Sequence, residues 1–296
     1  MAKIQKTANT ADKKPVYRVK EKPTAMGILA TLFFTIISII FVSPIIIVII
    51  NSLKAKTFIS LETFELPNEH SYIGLDNYKT AITQYDFIKA VGWTVVITVL
   101  SVAAILLFCS MTAWYITRVK NIATKIIYLL CVFSMVIPFQ MVMFTLAGTA
   151  DALHLTTPWG IVIVYLGFGT GLAVFMFCGF IKSIPLEVEE AAMIDGCTPL
   201  KTFFRVVIPI MKPTYISVGI LEAMWIWNDF LLPNLIINKT GWQPLPLKTY
   251  LFFGQFTKRW DLATAGLILC MIPIIIFYTS CQRYIVKGVT DGAVKG

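Results

Sequence analysis

Apolar stretches long enough to cross a bilayer as helices alternate with short polar segments along most of the chain. A hydrocarbon core of about 30 Å calls for about 20 apolar residues in helical conformation. Six stretches reach that length, at roughly 26–53, 91–117, 125–148, 158–181, 213–237 and 262–286. The pattern predicts an all-α membrane protein with six transmembrane helices, a polar tail over 1–25, a membrane domain over 26–286 and a second tail over 287–296. Pro44, Pro138, Pro233 and Pro273 fall inside predicted spans, where neighbouring helices or water can satisfy the carbonyls a proline frees. The first stretch follows about 25 polar residues, is longer than the apolar region of a signal peptide and lacks a small-residue cleavage site, so it is expected to remain as a helix.

Orientation follows from lysine and arginine. The leading tail carries Lys3, Lys6, Lys13, Lys14, Arg18, Lys20 and Lys22 against Asp12 and Glu21, which puts it inside. Six spans then place three further basic segments inside. They are the loop with Arg118, Lys120 and Lys125, the segment with Lys182, Lys201, Arg205 and Lys212, and the final tail with Arg283, Lys287 and Lys295. Segments 54–90, 149–157 and 238–261 fall outside. The last of these departs from the charge rule, with Lys239, Lys248, Lys258 and Arg259 against Asp261.

Composition narrows the function. The chain is 57% hydrophobic and 14% charged, against about 25% charged residues in soluble domains. The net charge of +9 sits at the flanks of apolar runs, as on the inner side of a membrane protein, so nucleic acid is not an expected partner. The six cysteines form no CxxC pair, and His70 and His154 are far apart, so no metal site is expected. Gly196 to Thr202 echoes a phosphate loop but has no glycine before Lys201, and no HExxH or GxSxG motif occurs. These features point away from an enzyme and toward transport. An ion-driven secondary transporter stands as the rival, although no internal repeat of the kind common in that class is visible.

One passage is out of keeping with the apolar background. Residues 185–209 contain Glu187, Glu189, Glu190 and Asp195 together with Gly196, Pro199, Lys201 and Arg205. Pro185 suits a helix start, and the glutamates behind it complement the helix dipole. Gly196 suits a left-handed stop, and Thr198-Pro199 reads as a cap and first residue of a second helix that ends near Pro209. Two short helices in an L are predicted, with Ala191, Ala192 and Gly196 at the bend. Small residues flanked by acids suit docking into a groove of a soluble protein; an amphipathic helix lying at the interface is the plainer alternative.

The order Glu190-Ala191-Ala192, three residues, Gly196, nine residues, Val206-Val207-Ile208-Pro209 resembles the EAA loop of ABC importer permeases. Ile137 to Gln140, Ile184-Pro185 and Trp227 to Phe230 resemble the carbohydrate-uptake branch. Gly288 to Gly296 resembles the tail of the smaller permease subunit of maltose-type importers. The likeness spans roughly 20–296 and implies a type I ABC importer permease fold with a cytoplasmic EAA coupling helix, in a bacterial inner membrane with both termini cytoplasmic. It implies as partners a second permease subunit, two ATPase subunits that bind the ATP and magnesium, and an extracytoplasmic sugar-binding protein. No cofactor is expected in this chain. Glu190, Ala191, Ala192, Asp195, Gly196 and Pro209 become the expected ATPase-coupling residues. Gly292, Lys295 and Gly296 are expected to reach the ATPase dimer. The solute is expected to be an oligosaccharide, with glycerol phosphate esters as the alternative that related permeases carry.

Charge inside the fifth span marks a second candidate. Glu222, Trp225 and Asp229 fall within one arc of a helix, with Asn228 beside them, and carboxylates with an indole could line a sugar path. A hydrogen bond between helices would serve the same residues structurally. The aromatic segment 238–261 is expected either to anchor at the interface or to touch the binding protein.

Overall fold

A computed structural model describes residues 24–237, 239–250, 252 and 258–293, with Thr240 and 283–293 as backbone only. The described residues are mostly helical, and Lys54 and Tyr72 form an isolated antiparallel bridge. Two compact units, Met1–Val48 and Ile49–Gly296, are taken in turn.

The first unit is most of α1 (Ala25–Ser52), which contains Pro44. Its hydroxyls turn back on its own backbone. Thr31 donates to the Gly27 carbonyl, Thr35 to Thr31 and Ser38 to Phe34. Such pairing leaves no hydroxyl unmatched in an apolar surround.

The second unit is built on α4 (Phe87–Arg118) and α7 (Gly160–Ile181), which pack along their lengths. Before them come two short helices, α2 (Lys56–Leu61) and α3 (Asp76–Gln84). Between them lie α5 (Ile122–Phe133) and α6 (Phe139–Ala152). After α7 follow α8 (Leu186–Ile194), α9 (Pro199–Thr202), a π turn over Phe203–Val207, α10 (Ile208–Ile210) and α11 (Lys212–Asn228). The chain ends through α12 (Leu231–Ile236), α13 (Leu245–Tyr250) and α14 (Trp260–Ala293). Ile97, Ile105, Tyr165, Phe177, Phe203, Val218 and Ile236 belong to one continuous core.

Among the described residues, four helices are long and apolar enough to cross a bilayer, and a fifth crossing is available if the bent pair Pro199–Ile210 and Lys212–Asn228 counts as one. Two predicted spans are discontinuous. The stretch at 125–148 is α5 and α6, separated at Ser134–Pro138, because Pro138 cannot extend the helix and holds the entry to α6 with φ −60° and ψ 133°. The stretch at 213–237 breaks at Asp229, whose backbone is extended with ψ 125°. The segment after it is no free loop. Leu245 and Leu247 are buried, the Leu245 amide donates to Thr94 Oγ1 at 2.7 Å, and Trp93 Nε1 donates to the Gly241 carbonyl at 3.0 Å.

A buried polar knot organises residues 51–77. Lys54 is fully buried, and its Nζ donates to the Glu62 and Glu65 carbonyls just past the end of α2, at 2.6 Å each. Asn77 Nδ2 holds the Ser52 and Lys54 carbonyls at 2.9 Å each. A cation at helix-end carbonyls meets the negative end of the dipole.

Glycine sets the approach of α7 to its neighbours. A Cβ on Gly171 would lie 2.5 Å from Met135 Cγ and 2.9 Å from the Cys131 carbonyl, and one on Gly169 would lie 2.5 Å from Ile105 Cδ1. Membrane helices rely on such small residues for close packing. Gly171→Leu is therefore expected to destabilise the protein by about 1–3 kcal/mol through overpacking. Gly179→Leu, at a position where an added Cβ meets nothing within 4 Å, should be close to neutral. Thermal unfolding of the two variants in one detergent checks the difference.

Candidate functional site

The hairpin at 185–209 is built by local rules. Pro185 takes the N-cap of α8 with φ −57° and ψ 136°, one residue before the helix proper. Glu187 and Glu189 follow in the first turn, at the positive end of the dipole. The helix closes as a Schellman motif. The Gly196 amide donates to the Met193 carbonyl and the Cys197 amide to the Ala192 carbonyl, both at 3.0 Å. Gly196 has φ +87°, and an added Cβ there would meet nothing within 4 Å. Backbone conformation, not crowding inside this chain, calls for glycine. Thr198 Oγ1 accepts from the Lys201 amide at 3.4 Å, and Pro199 opens the next helix.

The segment after Gly196 departs from a simple helix. Phe203–Val207 is a π turn in which the Ile208 amide reaches the Phe203 carbonyl. Pro209, two residues after Val207, has no amide to donate and its ring crowds the Arg205 carbonyl, so the backbone widens instead of breaking. The larger turn comes at Met211, where Pro199–Ile210 meets Lys212–Asn228 at 78°. Phe203, Val207 and Met211 are fully buried, so this elbow is part of the core.

One contact ties the hairpin to the long helices, and it involves a residue outside the expected set. Glu189 is 1% exposed. Its Oε1 accepts from Arg118 Nη2 at 2.6 Å and from Nε at 3.0 Å, while Oε2 accepts from Trp114 Nε1 at 2.9 Å. Arg118 Nη2 also donates to the Ile184 carbonyl at 3.0 Å. Trp114 further packs on Phe203, with ring centroids 5.3 Å apart. Trp114 and Arg118 lie four residues apart on the last turns of α4, hence on one face. A tryptophan N–H and a guanidinium sharing a face at the end of an apolar helix was the signal that could have revealed a common buried acceptor.

The expected coupling residues take the opposite side. Glu190, Ala191, Asp195 and Gly196 are exposed, as is Pro209, and Ala192 is half-buried. Around them Ile194 is 85% exposed and Leu200 57%, with Met193 and Leu186 also exposed. Together these residues form an acidic, small-residue crest edged by exposed apolar side chains. Gly292 lies within α14, which continues past the expected end at 286, and Lys295 and Gly296 lie outside the described residues.

The charges of the fifth span separate by environment. Trp225 is 42% exposed and stands edge-on to Tyr165, with ring centroids 5.5 Å apart. Asn228 is exposed, and its Nδ2 donates to the Met224 carbonyl at 2.7 Å. Asp229 Oδ2 accepts from the Tyr165 hydroxyl at 3.0 Å, and Oδ1 accepts from the Leu231 and Leu232 amides at 2.9 and 3.4 Å. It thus starts α12 as a helix cap. Glu222 is 2% exposed and faces Gly169. Its Oε1 has no hydrogen-bond partner among the described residues. The structure therefore does not present Glu222, Trp225 and Asp229 as one open acidic face. Trp225 and Asn228 are outward, and the carboxylates are turned into the protein.

Residues 106–291 match the family model described as binding-protein-dependent transport system inner membrane component. A probable starch degradation products transport system permease protein of Thermoanaerobacterium thermosulfurigenes is 42% identical over 90% of this chain and 96% of its own length. A multiple sugar-binding transport system permease protein of Streptococcus mutans is 35% identical over 88% and 94%. In fold, the chain is similar to part of a bacterial ABC transporter that imports the acidic polysaccharide alginate. The TM-score is 0.74 at 21% identity, over 88% of this chain and 96% of the other.

Removing one partner of a buried ion pair costs about 3–5 kcal/mol. Arg118 is partly open to solvent at 18% exposure, so Arg118→Ala is expected near the lower end of that range. The double variant Arg118→Ala/Glu189→Ala should lose less than the sum of the two single losses, which a double-mutant cycle on thermal or denaturant unfolding reads directly.

Proposed function

The chain belongs to the family of binding-protein-dependent transport system inner membrane components, and on that premise we propose that it is the permease subunit of an ATP-driven oligosaccharide importer. Two of its most similar relatives are permease proteins of transport systems for starch degradation products and for multiple sugars, which supports sugar as the solute. A second permease completes the pathway, two ATPase subunits bind the ATP and magnesium, and an extracytoplasmic protein delivers the sugar. An alginate transporter solved with a pentasaccharide-bound periplasmic protein, similar in fold to this chain, supports the last of these. The basic flanks put both termini and the 185–209 hairpin in the cytoplasm.

The observation that carries this reading is the two-sided hairpin. Its crest offers Glu190, Ala191, Ala192, Asp195 and Gly196 outward, while Glu189 grips Arg118 and Trp114 inward. ATP closing the ATPase dimer would move the crest. The Glu189 clamp and the Phe203 to Met211 elbow would pass that motion to α4 and α11, rocking the bundle about the pathway. Pro209 acts through the elbow, and Gly292, Lys295 and Gly296 would be the residues that contact the ATPase dimer. Trp225 and Asn228, both exposed, face the sugar path; Asp229 holds the end of α11 through Tyr165, and Glu222 packs beside Gly169.

Glu190→Arg and Gly196→Leu are expected to reduce copurification of the ATPase subunit and sugar uptake at least tenfold, with the permease still present in the membrane. Wild-type uptake should persist when ion gradients are collapsed and stop when ATP is depleted. Normal assembly and uptake in both variants would overturn the docking surface, and uptake that follows the ion gradient would overturn the ATP-driven reading.

A further inference from the structure

A basic feature lies on the same end of the molecule, beside the hairpin and not part of its acidic crest. The ends of α4 and α7 and the start of α5 enclose a cleft of about 850 Å³. Four cationic side chains line it: Arg118, Lys120, Lys125 and Lys182. Arg118 is committed to Glu189. Lys120, Lys125 and Lys182 are exposed and form no salt bridge among the described residues. Lys182 Nζ stands 5.9 Å above the Tyr128 ring. The hydroxyls of Thr117 and Thr124 are already used by the backbone. Three ammonium groups around one concave site, with no carboxylate paired to them among the described residues, make a strong positive potential.

The surroundings indicate what balances it. From the mouth of the cleft, α5 carries Ile122, Ile126, Leu129 and Leu130 outward, at 78%, 51%, 63% and 65% exposure. A free phosphate would use the lysines and leave this strip idle. A phospholipid uses both, with its headgroup among the ammonium groups and its chains along α5. Basic pockets between the inner ends of membrane helices suit anionic headgroups for this reason. We propose that the cleft between the ends of α4, α5 and α7 binds the phosphate headgroup of an anionic phospholipid of the inner leaflet. The proposal takes the cytoplasmic placement of this end from the reading above. Because Arg118 belongs both to the cleft and to the Glu189 clamp, a bound headgroup would sit against the element that carries the hairpin's motion.

The experiment uses the complete importer in nanodiscs of dioleoylphosphatidylcholine, with and without dioleoylphosphatidylglycerol. The permease is either wild type or the triple variant Lys120→Gln/Lys125→Gln/Lys182→Gln. Lipid retained after detergent extraction is measured by native mass spectrometry. At about 0.7 decade per lysine, wild type should hold phosphatidylglycerol roughly a hundredfold more tightly than the triple variant, with phosphatidylcholine unaffected. The charge-preserving Lys120→Arg/Lys125→Arg/Lys182→Arg should keep the preference. The surface variant Lys79→Gln, exposed on α3 and outside the cleft, should keep it too. Equal retention by wild type and triple variant would overturn the proposal. Displacement of the lipid by glycerol 1-phosphate at equal strength would also overturn it, in favour of a soluble anion. So would loss of a partner subunit from the triple variant with lipid retention unchanged, which would assign the lysines to a protein contact. Binding-protein-stimulated ATP hydrolysis is followed in every disc. Its presence without lipid preference removes only the cleft, whereas its absence in all discs removes the transport reading instead.

Discussion

Everything at the hairpin end depends on one buried carboxylate. Glu189 receives three hydrogen bonds from Arg118 and Trp114, and Arg118 adds a fourth to the Ile184 carbonyl at the hairpin's root. Desolvating two charges is costly, and such a pair holds only when the remaining donors and acceptors are matched. Here the match is close to complete. An apolar contact of the same size could hold the hairpin as firmly, yet it would tolerate sliding. Directional, charge-assisted bonds from two residues one helical turn apart admit a single register. In the proposed coupling role, that single register matters more than raw stability.

The proposed coupling also calls for a stiff path from that root into the membrane. It is met by breaks as much as by helices. Pro209 widens the backbone into a π turn, the chain bends by 78° at Met211, and the bend is packed under Phe203, Val207 and Met211. At the far end of α11, Asp229 ends one helix and caps the next while holding Tyr165. Gly169 and Gly171 let α4 and α5 close on α7, so that motion applied at one helix is shared by its neighbours. A bend buried in the core behaves as a lever arm, whereas the same bend exposed to solvent would be a hinge.

These two sides of the hairpin explain why adjacent glutamates have different roles. Glu189 and Glu190 are neighbours in sequence and about 100° apart on a helix. One is buried against α4 and the other stands free beside Ala191 and Gly196. The exposed apolar fringe of Ile194 and Leu200 completes a surface that this chain leaves open. The buried contact and the exposed glutamate thus lie on different faces of a single nine-residue helix.

Much of this was legible in the order of residues. The apolar runs, the start of α8 at Pro185, the left-handed stop at Gly196 and the Thr198-Pro199 start are local properties, set by side-chain solvation and by the φ each residue tolerates. The spacing from Glu190 to Pro209 likewise names a family on its own, because it is a one-dimensional pattern. Tertiary structure decided the rest. It set which glutamate turned inward, that Asp229 caps a helix and Glu222 faces Gly169, and that Lys54 is buried against helix-end carbonyls. It also set that the third and fifth apolar runs are interrupted. Each of these depends on partners distant in sequence, and the energy of a buried charge or a bent helix belongs to the pair in contact and not to either residue alone.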